Sequence, residues 1–389
     1  MRTADLKGWA NVVTPPAEIR LILLLARPEF GEEQHAELAD IVAQAGPAID
    51  SGRVAALAAQ HRVAPLLGLQ AGRARSAGLA TGIDPMVVGL LQASYRDAVR
   101  RNQVMAGQLS SIAEAAVQAG VRMVVRKGGH LAYAVYPDPG MRPMSDLDLL
   151  VRREEAPALV EAVAALGYQE GTATADGIKP FTRKERIFWH LHGSDLPSLT
   201  KRLDNFDRPS VSVDINVALE LPKSGYSIPV ESVMEHAVTW QYEGREYLAP
   251  DPEDTVIDLC AHIYKSSTTL RFMHVGGKHR RLVKYVDVAE VIRASGPGFS
   301  WPTLLERVAQ YGVAVPTYYG LAHLDMLSPG RVPAQHLAAL RSACPEPDAL
   351  LDRYGQWDLP EPLRWERDFL TRFFDLDADR DLPQSASLV

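Results

Sequence analysis

Apolar residues recur every three or four positions through the first third of the chain. In 85–119, Met105, Leu109, Ile112 and Ala116 are spaced four, three and four apart, which places them on one helical stripe. The same segment and 18–26, 33–45, 52–62 and 65–71 are rich in Ala, Leu, Glu, Gln and Arg, which favour helices. Ser51-Gly52, Ala77-Gly78 and Thr81-Gly82 sit at the breaks, and Gly120 supplies a stop. The pattern predicts an all-helical N-terminal region over 1–120, with 1–15 as a loose lead-in.

At 121 the period changes. The Val-rich 121–125 reads as a strand, 128–136 as a helix and 146–151 as a second strand. A helix over 156–166 ends at Gly167. Two more strands are predicted, 186–192 and 210–217; in the latter Val211, Val213, Ile215 and Val217 alternate. This order predicts a small mixed sheet in a core spanning 121–250. Helical spacing returns in 253–267, 282–294, 301–311 and 316–327, with Pro252, Pro302 and Pro316 near the starts. These form a C-terminal helical region, 251–345. The Pro- and Asp-rich 346–389 reads as an extension whose end, 375–389, is a mobile tail. The expected class is therefore α+β and predominantly helical, a small mixed β-sheet core flanked by N- and C-terminal helical regions. No internal repeat is present.

Composition adds limits. The 389 residues suffice for two or three domains. A formal charge of −7 argues against a long nucleic acid as the main partner, because counterion release needs a basic surface. Cys260 and Cys344 are far apart in sequence, which predicts buried free thiols rather than a disulfide framework or zinc site. No apolar run approaches the ~20 residues that span a bilayer. The N-terminus lacks a leader pattern, and the chain reads as cytoplasmic. Nothing in the pattern speaks to oligomeric state.

Candidate chemistry concentrates in 127–148, KGGHLAYAVYPDPGMRPMSDLD. On a strand, Asp146 and Asp148 point to one side, and Leu147, Leu149 and Val151 to the other, into a core. Paired hard carboxylates suit Mg²⁺ (or Mn²⁺) together with substrate phosphates. Asp214, on the later alternating strand, joins them if the two strands are neighbours. Gly128 and Gly129 would let backbone N–H groups approach phosphate oxygens, while Lys127 and Arg142 would neutralise a triphosphate. Lys265 shares a helix face with His262 and Asp258 and is a further phosphate candidate. Arg271, Lys278, Arg280, Arg281 and Lys284 make 271–284 a basic loop around Gly276-Gly277, suited to steering an anion. His190 and His192, on one face of the predicted strand 186–192, would line the site or pack. A lone DxD or a lone glycine pair is weak evidence. Their joint order with a later strand Asp points to a nucleotide site.

These motifs resemble the nucleotidyltransferase superfamily of the DNA polymerase β type. They are more closely similar to uncharacterised bacterial nucleotidyltransferase-like proteins, with an "LKG" element, an "RxxxDxD" element and a later "DxH" strand. The counterparts are Val125-Arg126-Lys127-Gly128, Arg142-Pro143-Met144-Ser145-Asp146-Leu147-Asp148 and Val213-Asp214-Ile215-Asn216, with His262 and Asp287 in the following helices. The likeness covers about residues 50–330. Two departures stand out: the gap from Gly128 to Asp146 is long, and Asn216 replaces the histidine. The resemblance implies an NTP co-substrate, a metal on Asp146, Asp148 and Asp214, and NMP transfer to a hydroxyl or phosphate acceptor with pyrophosphate release. The acceptor would be a small molecule or peptide, which includes natural-product tailoring. The alternatives are DxD-dependent transfer from a nucleotide-sugar and a catalytically inactive nucleotide-binding or partner protein.

Overall fold

Among the described residues, five α-helices precede the first strand: α1 (Ala17–Leu25), α2 (Glu32–Ala45), α3 (Ser51–Gln60), α4 (Ala64–Ser76) and α5 (Pro85–Gln118). The computed structural model describes residues 15–192, 195–220, 224–274, 277–377 and 381–383. Of the sequence expectations, the lead-in up to residue 14, Gly276 and the tail segments 378–380 and 384–389 lie outside these. Asp50 starts α3 by accepting from Arg53 N (2.9 Å), and Asp84 starts α5 by accepting from Met86 N (2.8 Å). α4 crosses α5 at Gly68, where a Cβ would stand 2.1 Å from the Leu91 carbonyl oxygen. Only glycine permits that approach.

The central portion supplies β1 (Val124–Arg126), α6 (Lys127–His130) with a π-helical continuation (Leu131–Val135), β2 (Leu147–Leu150), α7 (Ala156–Ala165) and β3 (Gln169–Glu170). A hairpin, β4 (Thr172–Thr174) and β5 (Gly177–Lys179), leads to α8 (Arg183–His192), β6 (Leu199–Arg202) and β7 (Ser210–Asn216). Then come α9 (Val230–His236), β8 (Val238–Tyr242) and β9 (Arg245–Ala249). Seven strands form one mixed sheet in the order β3-β6-β7-β2-β1-β9-β8. The β2–β7 and β1–β9 pairs are parallel and the other pairs antiparallel. The class is α+β and predominantly helical, as the sequence predicts.

One predicted strand is a helix. Residues 186–192 belong to α8, so the two-residue alternation assumed for His190 and His192 does not apply. Its cause is a reciprocal cap. Thr182 N donates to the Glu185 carboxylate (2.6 Å), and Glu185 N donates to Thr182 Oγ1 (3.3 Å). The first strand also starts later than 121. Gly120 turns with φ 68 and Val121 N closes α5 on the Ala116 carbonyl (2.9 Å), so pairing begins at Val124.

After the sheet follow α10 (Pro252–Thr268), α11 (Leu270–His274), α12 (Leu282–Ser295), α13 (Trp301–Tyr311), α14 (Ala314–Leu327), α15 (Ala334–Ser342) and α16 (Pro347–Leu350). A two-stranded ribbon, β10 (Arg353–Tyr354) with β11 (Leu363–Arg364), and α17 (Phe369–Phe373) complete the described chain. The sheet has two covered faces. Val125, Leu147, Leu149, Val151, Val213 and Ile215 pack with Leu109, Ile112, Leu159 and Val163 of α5 and α7. Val124 and Leu150, on the opposite face, join the core of the C-terminal helices, with Ile257, Cys260 and Val288. Cys260 and Cys344 are buried free thiols. In the predicted tail, Asp375 and Asp381 accept from Arg367 (2.5 and 2.8 Å) and Leu382 is buried. No described helix is long and apolar enough to cross a membrane.

Candidate active site

Three neighbouring strands bring charged residues into one row. In the antiparallel β1–β2 ladder Arg126 stands opposite Asp148, and in the parallel β2–β7 ladder Asp148 stands beside Asp214. Directly opposed residues share a face. The row Arg126, Asp148, Asp214 therefore lies on the face that carries Val124 and Leu150, under the C-terminal helices. Leu147, Leu149, Val213 and Ile215 take the other face. Asp146 precedes β2 by one residue, next to the row.

The chain enters this row through an unusual turn. Lys127 has φ 46, a left-handed conformation uncommon outside glycine. Its ammonium lies 2.5 Å from Asp148 Oδ1. The two glycines that follow are buried and serve close packing. A Cβ on Gly128 would come within 2.9 Å of Met144 Cγ, and one on Gly129 within 3.0 Å of Val125 Cγ1. The glycine pair thus seats α6 against β1 and the segment leading to Asp146, rather than simply baring backbone N–H groups.

That segment is pinned from two sides. Asn102 of α5 donates to the carbonyls of Pro139 (2.6 Å) and Arg142 (2.8 Å). Arg208, before β7, donates to the Met144 carbonyl (3.0 Å) and to that of Ser145. Sequence reasoning singled out neither residue. A buried amide inside the apolar half of α5 was the available signal for Asn102.

Two buried ion pairs tie the C-terminal helices to the row. Arg126 Nε donates to Asp258 of α10 (3.0 Å), and a second guanidinium nitrogen reaches the same carboxylate. Arg142 grips Asp287 of α12 through two hydrogen bonds (2.6 and 2.8 Å), and the Tyr136 hydroxyl donates to the same carboxylate (2.8 Å). Arg142, expected to neutralise a triphosphate, has its guanidinium engaged here by a carboxylate in the fork geometry. Asp258 and Asp287 thereby fix where Lys265 and Lys284 stand.

Electrostatics divides the site into an acidic row and a basic wall. Burial, then Asp148, pushes Asp146 above the usual carboxylate range. Burial, then Asp148 and Asp146, pushes Asp214 up to about 7, although the Ser198 hydroxyl donates to it. Burial also works to raise Asp148, but Lys127 and Arg126 outweigh it and hold Asp148 below the usual range. Near it stand Lys265 and Lys278, and beside them Lys284, whose ammonium donates to the Lys278 carbonyl (2.9 Å) and to the Ser266 hydroxyl. Burial, then Arg281, Lys278, Lys127 and Lys265, carries Lys284 well below the usual amine range. Burial lowers Lys278, and Asp146 and Asp214 act on it in the opposite direction. Burial lowers Lys265, which Asp195 opposes and Lys127 and Arg126 reinforce. Asp195, paired through backbone with Asn216 beside β7, is a fourth carboxylate that the sequence reading missed.

Such a donor set fits a divalent cation. Three neighbouring carboxylates, two of them held toward the protonated state by burial and then by mutual repulsion, would gain from a hard cation among them. The wall fits phosphate oxygens, and Arg126 Nη1 is buried without a hydrogen-bond partner. Among the described residues, the group of three whose ligand atoms all lie within 4.8 Å of one another is His236, Asp251 and Asp254; the three aspartates of the row are not drawn that close together. There Arg307 already supplies the positive charge, 2.6 Å from Asp251 and 3.2 Å from Asp254, while Asp251 also caps α10 through Asp254 N (3.0 Å).

The sequence model of the uncharacterised nucleotidyltransferase family matches residues 47–328, a span that contains the acidic row, both ion pairs and the basic wall. No curated protein and no solved structure matches the chain.

Proposed function

The chain belongs to the family of uncharacterised nucleotidyltransferases, and from that footing we propose a metal-dependent reaction of the DNA polymerase β type. An NMP passes from an NTP to a hydroxyl or phosphate of a small-molecule or peptide acceptor, and pyrophosphate is released. The observation that carries this reading is the β2–β7 register, which sets Asp214 beside Asp148, with Asp146 adjacent and Lys265 and Lys278 near them.

In this proposal Asp146, Asp148 and Asp214 hold Mg²⁺ or Mn²⁺, with Asp214 on the side of the nucleophile. The bound metal supplies positive charge against the phosphoryl oxygens as the transition state forms. Lys265, Lys278 and Lys284 receive the triphosphate, and Lys127 turns from Asp148 to a phosphate oxygen. The acceptor oxygen forms a bond to the α-phosphorus. The bond from that phosphorus to the bridging oxygen breaks, its electron pair leaves with pyrophosphate, and the acceptor proton is lost to solvent. Asn102 and Arg208 keep Asp146 in place by holding the carbonyls before it. The described helices between 17 and 118 and between 252 and 342 flank the core and form the walls that select the acceptor.

The test is incubation with each α-labelled NTP, Mg²⁺ and a panel of hydroxyl- and phosphate-bearing acceptors, read by mass shift and pyrophosphate release. One NTP and one acceptor class should yield an acceptor heavier by one NMP, with equimolar pyrophosphate. Transfer of a sugar from a nucleotide-sugar at the same site, with no pyrophosphate, would replace this reading.

A further inference from the structure

The row does not end at Asp214. In the antiparallel β6–β7 ladder Leu199 stands opposite Val213. One step earlier on β6 and one step later on β7, Ser198 comes opposite Asp214, on the face of the row. The sheet order then sets Arg126, Asp148, Asp214 and Ser198 side by side, on β1, β2, β7 and the approach to β6. The Ser198 hydroxyl donates to the Asp214 carboxylate.

Backbone contacts hold this hydroxyl in place. Leu196 N donates to the Ile215 carbonyl (2.8 Å), and the Ser198 carbonyl accepts from Gly171 N (3.2 Å). Pro197, immediately before it, restricts the chain there. Ser198 is half-buried, so the hydroxyl is not sealed in a core. Its neighbours on the same face are taken up by structure: Thr200 Oγ1 donates to the Gly171 carbonyl (2.8 Å) and lies 3.1 Å from Ser212 Oγ. Ser198 lies beyond Asp214 from Asp148, which is the side that the nucleotidyl-transfer reading gives to the nucleophile.

Resting on that reading, we propose that Ser198 is itself an acceptor: when no external acceptor is bound, the protein transfers an NMP to its own Ser198. Ser198 Oγ forms a bond to the α-phosphorus of the NTP. The bond from that phosphorus to the bridging oxygen breaks, its electron pair leaves with pyrophosphate, and the hydroxyl proton is lost to solvent. The product is a phosphodiester between Ser198 and the nucleoside. A serine hydroxyl is the same chemical group as the external hydroxyl acceptor. Its fixed position lets it compete with water, since well-oriented groups reach effective molarities of about 10⁵–10⁸ M.

The test needs no external acceptor. Full-length protein is incubated with Mg²⁺ and each NTP in turn, labelled at the α- or the γ-phosphate, then denatured and read by intact mass and peptide mapping. One NTP should leave the wild type heavier by one NMP, with the α-label kept, the γ-label lost and the added mass on Ser198. Mapping the wild type locates the adduct without relying on any variant. Ser198→Ala should lose the adduct while its melting temperature still rises with the same NTP, which shows that the variant folds and binds nucleotide. An adduct on another residue would overturn the assignment, Ser145 included, whose hydroxyl donates to Asp146 (3.0 Å). So would a retained γ-label, which means phosphorylation, or an unmodified wild type whose melting the NTP nevertheless raises. If no NTP raises the melting of the wild type, the transfer reading falls and this inference with it.

Discussion

Asp148→Asn should lower NTP-dependent transfer by about 10³-fold or more, about 4 kcal/mol, the scale on which a charged group at a reacting phosphate acts. Asp148 is the centre of the acidic row, opposite Arg126 on one side and beside Asp214 on the other. It is also the carboxylate that Lys127 and Arg126 keep ionised against burial, whereas Asp146 and Asp214 are pushed toward their neutral forms. Asparagine keeps the shape and the Lys127 contact but removes the charge a divalent cation needs. Asp146 remains to offset Lys127, and repulsion within the row falls, so the fold should persist. Pyrophosphate release, measured beside a thermal melt, separates the two effects. Activity within about tenfold of wild type in a folded variant would show that Asp148 does not hold the metal.

Asp287→Ala should destabilise the protein by about 3–5 kcal/mol, the usual loss when one partner of a buried ion pair is removed. Asp287 is 1% exposed and accepts from Arg142 twice and from Tyr136 once. Truncation leaves a guanidinium and a phenol facing a cavity. The same change frees α12 from the segment before Asp146, so Lys284 loses its place beside Lys278 and Ser266. Replacing both partners, Arg142→Met with Asp287→Leu, should recover most of the stability, because no unpaired charge remains, but not the activity. Urea denaturation of the single and double variants tests this. A loss below about 1 kcal/mol for Asp287→Ala would mean that water compensates the pair.

The alternation around Asp214 and the DxD spacing made the acidic row legible, because a period of two fixes which side chains share a face. Strand pairing was not legible, and only the register shows that Asp148 and Asp214 are neighbours. The basic residues of 265–284 were visible as a charge run; that Lys265 and Lys278 come near the aspartates depends on the Arg126–Asp258 and Arg142–Asp287 pairs, which join positions far apart in sequence. Arg142 looked like a phosphate ligand because nothing local revealed its partner. Gly128 and Gly129 looked like a phosphate turn, yet they are needed where Met144 and Val125 approach. The stretch 186–192 reads as a strand candidate, although Thr182 and Glu185 carry the helix-start signal.

The most direct measurement is a crystal structure with Mn²⁺ and a non-hydrolysable NTP, using anomalous scattering to place the metal. The account predicts a manganese peak about 2.0–2.3 Å from oxygens of Asp146, Asp148 and Asp214, with the triphosphate against Lys265, Lys278 and Lys284. A peak at His236, Asp251 and Asp254 instead, or a nucleotide bound with no manganese at the acidic row, would contradict it.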